Sequence, residues 1–359
     1  MNKINTYLFS NTLKYIIYNI FLICLFVLFI NLIEISRILE VENQNFSNYL
    51  ILSIIKIPSI INETIPFIII IAIAFLFRNL INNNELISIR NVGKSIFDIF
   101  LPIGSAILIV GIITLLLINP IAASLESKFD KITNKNLSNM YSIKIIKNNM
   151  WIKNQVDENK TNYIQLSNLD IKNMKSNNIK ILTVSDNTKK LILADQGTIK
   201  DQVFKLNNVT IFDVKKEKYN NFDILEINLN FTTENIVDTI SDYKYIPFYD
   251  YLTHLKNLRK FNLHSNEISL YYLSEITKPF FLIILGFVVM GYSGKFKRNE
   301  NFFKVLFISI LIGFLFFMLK ELITYLSISL NINYIFSYMV IFLLPFLIGV
   351  YLVIKIENN

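Results

Sequence analysis

Little in this chain could perform covalent chemistry. Gly93-Lys94-Ser95 ends like a phosphate-binding loop, in which backbone N–H groups and a lysine hold nucleotide phosphates. Such a loop needs a glycine five residues before Gly93 and a strand leading into it; position 88 is Ser and no strand precedes it. The chain therefore has no nucleotide site of its own, and any ATP-driven work falls to a partner. His254 and His264 lie ten residues apart, a spacing that matches no metal site, and Cys24 is the sole cysteine. Both histidines read as exposed or interfacial residues. No convergent nucleophile, base or metal set is visible, so the expectation is a non-enzyme with no cofactor.

The informative residues are charges inside apolar runs, where an ionised group is expensive and marks a path, a pair or a cavity. Glu34 and Arg37 stand three apart at the end of the first run. Lys56 and Glu63 stand in the second, Glu275 and Lys278 in the fourth, and Lys320 and Glu321 in the fifth. All eight fall in the half of their run nearest the same side of the membrane. Snorkelling explains part of this. A shared polar chamber opening to that side would explain it too and is the favoured reading, with Arg37, Lys56, Lys278 and Lys320 as candidate contacts for anionic headgroups. Glu34 and Glu321 are then acids of a gate region. A second candidate site is the segment Asn84-Glu85-Leu86-Ile87-Ser88-Ile89-Arg90-Asn91-Val92-Gly93. Asn82–Asn84 offers an N-cap, Glu85 sits in the first turn, Gly93 can end the helix, and Leu86, Ile89 and Val92 align on one face. It reads either as a helix lying on the membrane or as a coupling helix that docks in a motor subunit, with Glu85 and Arg90 as its charged contacts.

These residues are positioned by membrane elements. The chain has 359 residues, is 53% hydrophobic and has mean hydropathy +0.46. Six spans are expected, at about 13–36, 51–77, 97–119, 269–292, 302–325 and 333–354, each near the ~20 apolar residues a spanning helix needs. Pro58 and Pro66 interrupt the second. The net charge of +8 follows the positive-inside rule rather than nucleic-acid binding. Lys3, Lys14, Arg78, Arg90, Lys94, Lys295, Lys297, Arg298, Lys304 and Lys355 flank one side, against Arg37 and Lys56 on the other. Both termini are thus expected in the cytoplasm. Residues 1–120 form three spans with the loop helix at about 84–93, and residues 266–359 form three more. Residues 121–265 form a domain on the outer side. It opens helically at Ala122–Phe129 and continues as short strands at 150–153, 162–166, 179–184, 190–195, 203–206, 209–214 and 224–231. Gly197 and Asn207-Asn208 supply turns, which gives an all-β sandwich or jelly roll. Residues 248–262 read as a short amphipathic helix leading back to the membrane.

This order of three spans, an outer β domain and three spans resembles the LptF/LptG permease family of the lipopolysaccharide exporter over essentially the whole chain. Asn84–Gly93 is similar to the family's cytoplasmic S-E-L-x-x-x-x-x-x-G helix, and Asn119-Pro120 to its exit from span three. Met150-Trp151-Ile152 followed by Asn162-Tyr163-Ile164 resembles the start of the LptG-type β domain, and Trp151 favours LptG over LptF. Two features depart from the pattern. Asn149-Met150 replaces the glycine before the tryptophan, and Glu34 and Arg37 carry charges opposite to those of LptG-type members. The resemblance implies a bacterial inner-membrane permease with a periplasmic β domain. Its partners would be a second, LptF-like permease, an LptB-like cytoplasmic ATPase dimer, and LptC-like and LptA-like periplasmic β proteins. Its cargo would be lipopolysaccharide, extracted from the inner membrane and passed to a periplasmic bridge. Two other classes remain: a mechanotransmission permease that moves a periplasmic domain without moving lipid, and a membrane assembly factor with no ATPase.

Overall fold

The computed structural model describes residues 3–38, 46–137, 145–146, 150–157, 160–170, 173–185, 189–213, 215, 217–233, 243–260, 264–294, 301–330 and 332–357. The chain divides into two units, residues 1–130 with 266–359, and residues 131–265.

The first unit is helical. Helix α1 spans Lys3–Ile38, α2 Phe46–Asn82, α3 Glu85–Asn91 and α4 Ile96–Ile113. A single π-helical turn, Thr114–Ile118, carries α4 without a break into α5, Asn119–Leu137. After the insert come α7 (Asn266–Ser293), α8 (Phe302–Ser329) and α9 (Tyr334–Glu357). Six of these helical stretches are long and apolar enough to cross a membrane. Pro58 and Pro66 lie within the continuous α2 and do not interrupt it. In a bundle the carbonyls freed by proline can be satisfied by neighbouring helices. Ile65, Ile68, Ile69, Ile73 and Phe77 of α2 are sealed against Ile99, Ile103 and Ile107 of α4 and Leu282 and Leu285 of α7. The opposite extreme, shared with α8, is α1, whose window is only 17% buried and which turns Phe21, Leu25, Phe26 and Phe29 outward.

The second unit is a single antiparallel sheet. Strands β2 (Met150–Asp157), β3 (Lys160–Asp170), β4 (Lys175–Ser185), β5 (Lys189–Lys200), β6 (Val203–Asp213) and β7 (Lys218–Asn228) each pair with the next. The two-residue β1 (Ile145–Ile146) lies on the same edge of β3 as β2, so the sheet has six strand positions. Asn207-Asn208 do not form a turn: Val203–Asp213 is one strand, with Asn208 inside it at φ 52. Asn178 of β4 has φ 51. The registers align Ser167, Asn178, Asp195, Asn208 and Asp223 across five strands. The Ser167 hydroxyl donates to the Asn178 carbonyl at 2.9 Å, and the Asn208 amide to Asp195 at 3.3 Å. Asn tolerates the left-handed region best among side-chain-bearing residues, so this polar row breaks the pleat and lets the sheet crease.

The crease explains how one sheet buries a face. Ile152, Ile164, Leu166, Ile179, Ile181, Phe204 and Leu206 are essentially sealed, and they form one cluster. At the far edge Asn154 of β2 donates to the Asn228 carbonyl and accepts from the Asn230 N–H, both at 2.9 Å. The edges of the folded-over sheet meet there, and the layers of the expected sandwich are halves of one sequentially connected sheet. Gly197, expected in a turn, sits inside β5 on the buried face. A Cβ there would stand 2.6 to 2.9 Å from Ile179, Phe204 and Leu206. The insert returns through α6, Tyr251–Lys260. The side chain of Trp151 lies outside the described residues.

Candidate functional site: the charged cluster and the loop helix

The buried charges of the helical unit converge on one point, and backbone chemistry dictates where. Pro66 has no N–H, so the carbonyl of Asn62, four residues earlier in α2, has no helical partner. The Lys278 ammonium fills that vacancy, donating to the Asn62 backbone oxygen at 3.2 Å and to its side-chain oxygen at 3.4 Å. The same ammonium pairs with Glu275, one turn back on α7, at 2.5 Å. The other Glu275 oxygen accepts from the Asn62 amide and from the amide of Asn119, which directly follows the π turn, both at 3.2 Å. Glu275 and Lys278 side chains are 8% and 10% exposed. An ion pair in so dry a place is tolerable only when its remaining hydrogen-bonding capacity is met, and here the two asparagines meet it. The knot thus ties α2, α5 and α7 at the points where proline and the π turn weaken their helices.

Lys320 is also buried. Its ammonium lies 5.5 Å and 5.9 Å from the ring centres of Phe281 and Phe317 and 3.6 Å from Glu321. The electron-rich face of each ring attracts a cation within about 6 Å of its centre. The remaining pair joins different helices: Lys56 of α2 reaches Glu34 of α1 at 3.6 Å and lies 5.4 Å from the Phe129 ring centre. Arg37 belongs to α1, but its side chain lies outside the described residues. The described partner of Glu34 is therefore Lys56. Among the four candidate headgroup cations, Lys56 is the one of the described three with substantial exposure, at 23%. Lys278 and Lys320 are enclosed in the bundle.

At the other end of the spans, α3 forms as the segment pattern requires, with two corrections. Asn84 does not cap it through its side chain. It adopts φ 59, and its backbone carbonyl accepts from the Ser88 N–H and hydroxyl. The short link from α2 needs a reversal there, and left-handed Asn supplies it. Nor do three apolar residues share a face. Leu86 and Ile89 are buried in the bundle core, whereas Val92 is 70% exposed because it already belongs to the C-terminal cap. Gly93, at φ +86, ends the helix as expected. Ile87, Arg90 and Asn91 face outward with Val92. The Glu85 carboxylate accepts a 2.7 Å hydrogen bond from the Tyr7 hydroxyl of α1 and a 3.4 Å bond from the Asn83 amide.

Sequence reading missed Asn62, Asn119 and Tyr7. The first had a signal: asparagine four residues before a proline in an apolar helix marks a carbonyl that needs a donor. Tyr7 had none, because its contact bridges elements 78 residues apart. His254 is buried, not exposed, and shares the buried face of α6 with Tyr251 and Leu258. Among the described residues no three His, Cys, Asp or Glu side chains are grouped to hold a metal.

Six spans long and apolar enough to cross a membrane, with a β unit inserted after the third, define a multi-span membrane protein. The chain belongs to the lipopolysaccharide export system permease LptF/LptG family, whose pattern matches residues 6–355. It is accordingly a membrane permease of lipopolysaccharide export without an ATPase domain. No individual curated protein matches it.

Proposed function

We propose that the chain is the LptG-type member of a permease pair that draws lipopolysaccharide from the inner membrane and hands it to a periplasmic bridge. The observation that carries this reading is the family match across both membrane segments and the β insert together. The Trp151 motif supports LptG over LptF. The Lys/Arg asymmetry supports cytoplasmic termini and a periplasmic β unit. The domains are then spans one to three over 1–120, the β-jelly-roll-like insert over 121–265, and spans four to six over 266–359.

The site residues acquire distinct roles. Leu86 and Ile89 fasten the coupling helix to the bundle. Glu85, Arg90 and the exposed Ile87 and Val92 meet the cytoplasmic ATPase, while Gly93 sets the angle of the following span. The Tyr7–Glu85 bond links the helix to α1 and gives a push on the helix a route to that span. Arg37 and Lys56 stand at headgroup height as first contacts for lipid phosphate, with Glu34 holding Lys56 until an anion competes for it. Lys278 and Lys320 act deeper, once the Glu275 and Glu321 partnerships open. The partners are an LptF-like permease, an LptB-like ATPase dimer, and LptC-like and LptA-like periplasmic proteins.

The experiment is purification through a tag on this chain in mild detergent. A second six-span permease and an ATPase should accompany it in fixed ratio. Recovery of the chain alone from cells expressing all components would overturn the reading and favour a membrane assembly factor.

A further inference from the structure

Helix α6 has two faces of opposite character. Tyr251, His254 and Leu258 are buried, at 2%, 4% and 2% exposure. On the other side Leu252, Lys256 and Arg259, at i, i+4 and i+7, share one outward stripe. Leu252 is 72% exposed, and Tyr249, in the turn that leads into the helix, is 63% exposed. Neither Lys256 nor Arg259 has an ion-pair partner among the described residues. The approach to the helix is aromatic: Tyr243, Tyr245, Phe248, Tyr249 and Tyr251 fall within nine residues. Five residues separate Lys260 from Asn266, where the apolar α7 begins, so α6 is tethered to a span by a short segment.

An exposed leucine alone means nothing on a protein surface. Its combination with two free cations, an aromatic approach and a tether to a span is different. Aromatic side chains concentrate at the membrane–water boundary, and basic residues close to a span are drawn to anionic headgroups. We infer that the Leu252–Lys256–Arg259 face of α6 rests on the bilayer surface, where its cations meet anionic glycerophospholipid headgroups and Leu252 and Tyr249 enter the boundary. The complementarity is of charge: the stripe carries two positive groups and no acid, and the exposed Asp250 ends the turn just before the helix. The inference rests on the chain crossing a membrane, not on its cargo.

The single native cysteine makes the test simple. Cys24→Ser removes it, and Leu252→Cys or, as a control on the sheet, Lys180→Cys accepts an environment-sensitive fluorophore. The full chain is placed in nanodiscs of phosphatidylcholine alone or with phosphatidylglycerol. The label at 252 should shift to the blue and be quenched by headgroup-level nitroxide lipid when phosphatidylglycerol is present, while the label at 180 stays water-like. Lys256→Glu and Arg259→Glu should each reduce the docked fraction relative to the undocked by about fivefold or more. Both side chains are exposed, so folding is not at stake. Water-like emission at 252 in both nanodiscs would overturn the inference. So would equal burial in both, which would mean apolar insertion without headgroup recognition. Burial that requires an added periplasmic partner would make the face a protein-docking surface, and burial only with lipopolysaccharide would place it on the cargo path; either result overturns it.

Discussion

Replacing Glu275 with leucine should be the most damaging single change in the charged cluster. The Glu275 carboxylate is the only full negative charge on the Lys278 ammonium among the described contacts, at 2.5 Å. It also accepts from the Asn62 and Asn119 amides. Glu275→Leu leaves a cation whose side chain is 10% exposed with only the two Asn62 oxygens. One-sided loss of a buried ion partner costs ~3–5 kcal/mol. Lys278→Met likewise leaves a buried charge with two neutral partners, so its cost should also be ~3–5 kcal/mol, at the lower end because it strands no amide donor. The double variant leaves no uncompensated charge and fills the volume with apolar groups, so it should be more stable than Glu275→Leu alone. The assay is reversible unfolding in mixed micelles, read as a double-mutant cycle. A coupling of ~2 kcal/mol or more between the sites is expected; effects that add to within ~0.5 kcal/mol would refute the reasoning.

Three further outcomes follow from the contacts. Asn154→Ala should open the seam between β2 and the end of β7, at about 1–3 kcal/mol for two backbone groups left unpaired. Hydrogen exchange should quicken at Asn230 while β4 and β5 stay protected, and unchanged protection at Asn230 would contradict the closure. Glu85→Lys should weaken ATPase association in co-purification without altering membrane insertion, and Tyr7→Phe should lower ATPase-coupled transport less severely because Asn83 still reaches the carboxylate. An unaltered complex with unaltered transport after Glu85→Lys would remove the helix from the coupling path. A reporter at Asn173 should be periplasmic and one at Asn83 cytoplasmic; a cytoplasmic signal at Asn173 would invert the topology.

Much of this molecule is legible in the chain because apolar runs of span length have few physical alternatives. The six spans and the β insert follow from hydropathy and alternation. The charges in the spans could also be seen, but not which of them pair. Lys278 with Glu275 was within reach, three apart on one helix. Asn119 and Lys56 were not, because their partners come from helices whose relative rotation only packing fixes. In the insert, Asn207-Asn208 carries the composition of a turn, yet Asn208 uses its left-handed freedom to crease a strand. Local preference named the conformation correctly and the element wrongly. Gly197 misled for the opposite reason: its small size serves the core, not a reversal. The expected apolar stripe of α3 shows the same limit, since Leu86 and Ile89 were needed to hold the helix down.

The central claim is that lipopolysaccharide passes the cations of these spans, meeting the exposed ones before the enclosed ones. It is tested most directly by photo-crosslinking in the reconstituted complex, with the crosslinker placed at Lys56, at Lys320 and at the outward-facing Phe26 of α1. Lipopolysaccharide should be captured at 56 without ATP, at 320 only when the ATPase turns over, and only weakly at 26. Equal capture at all three positions, or none at 56, would contradict the account.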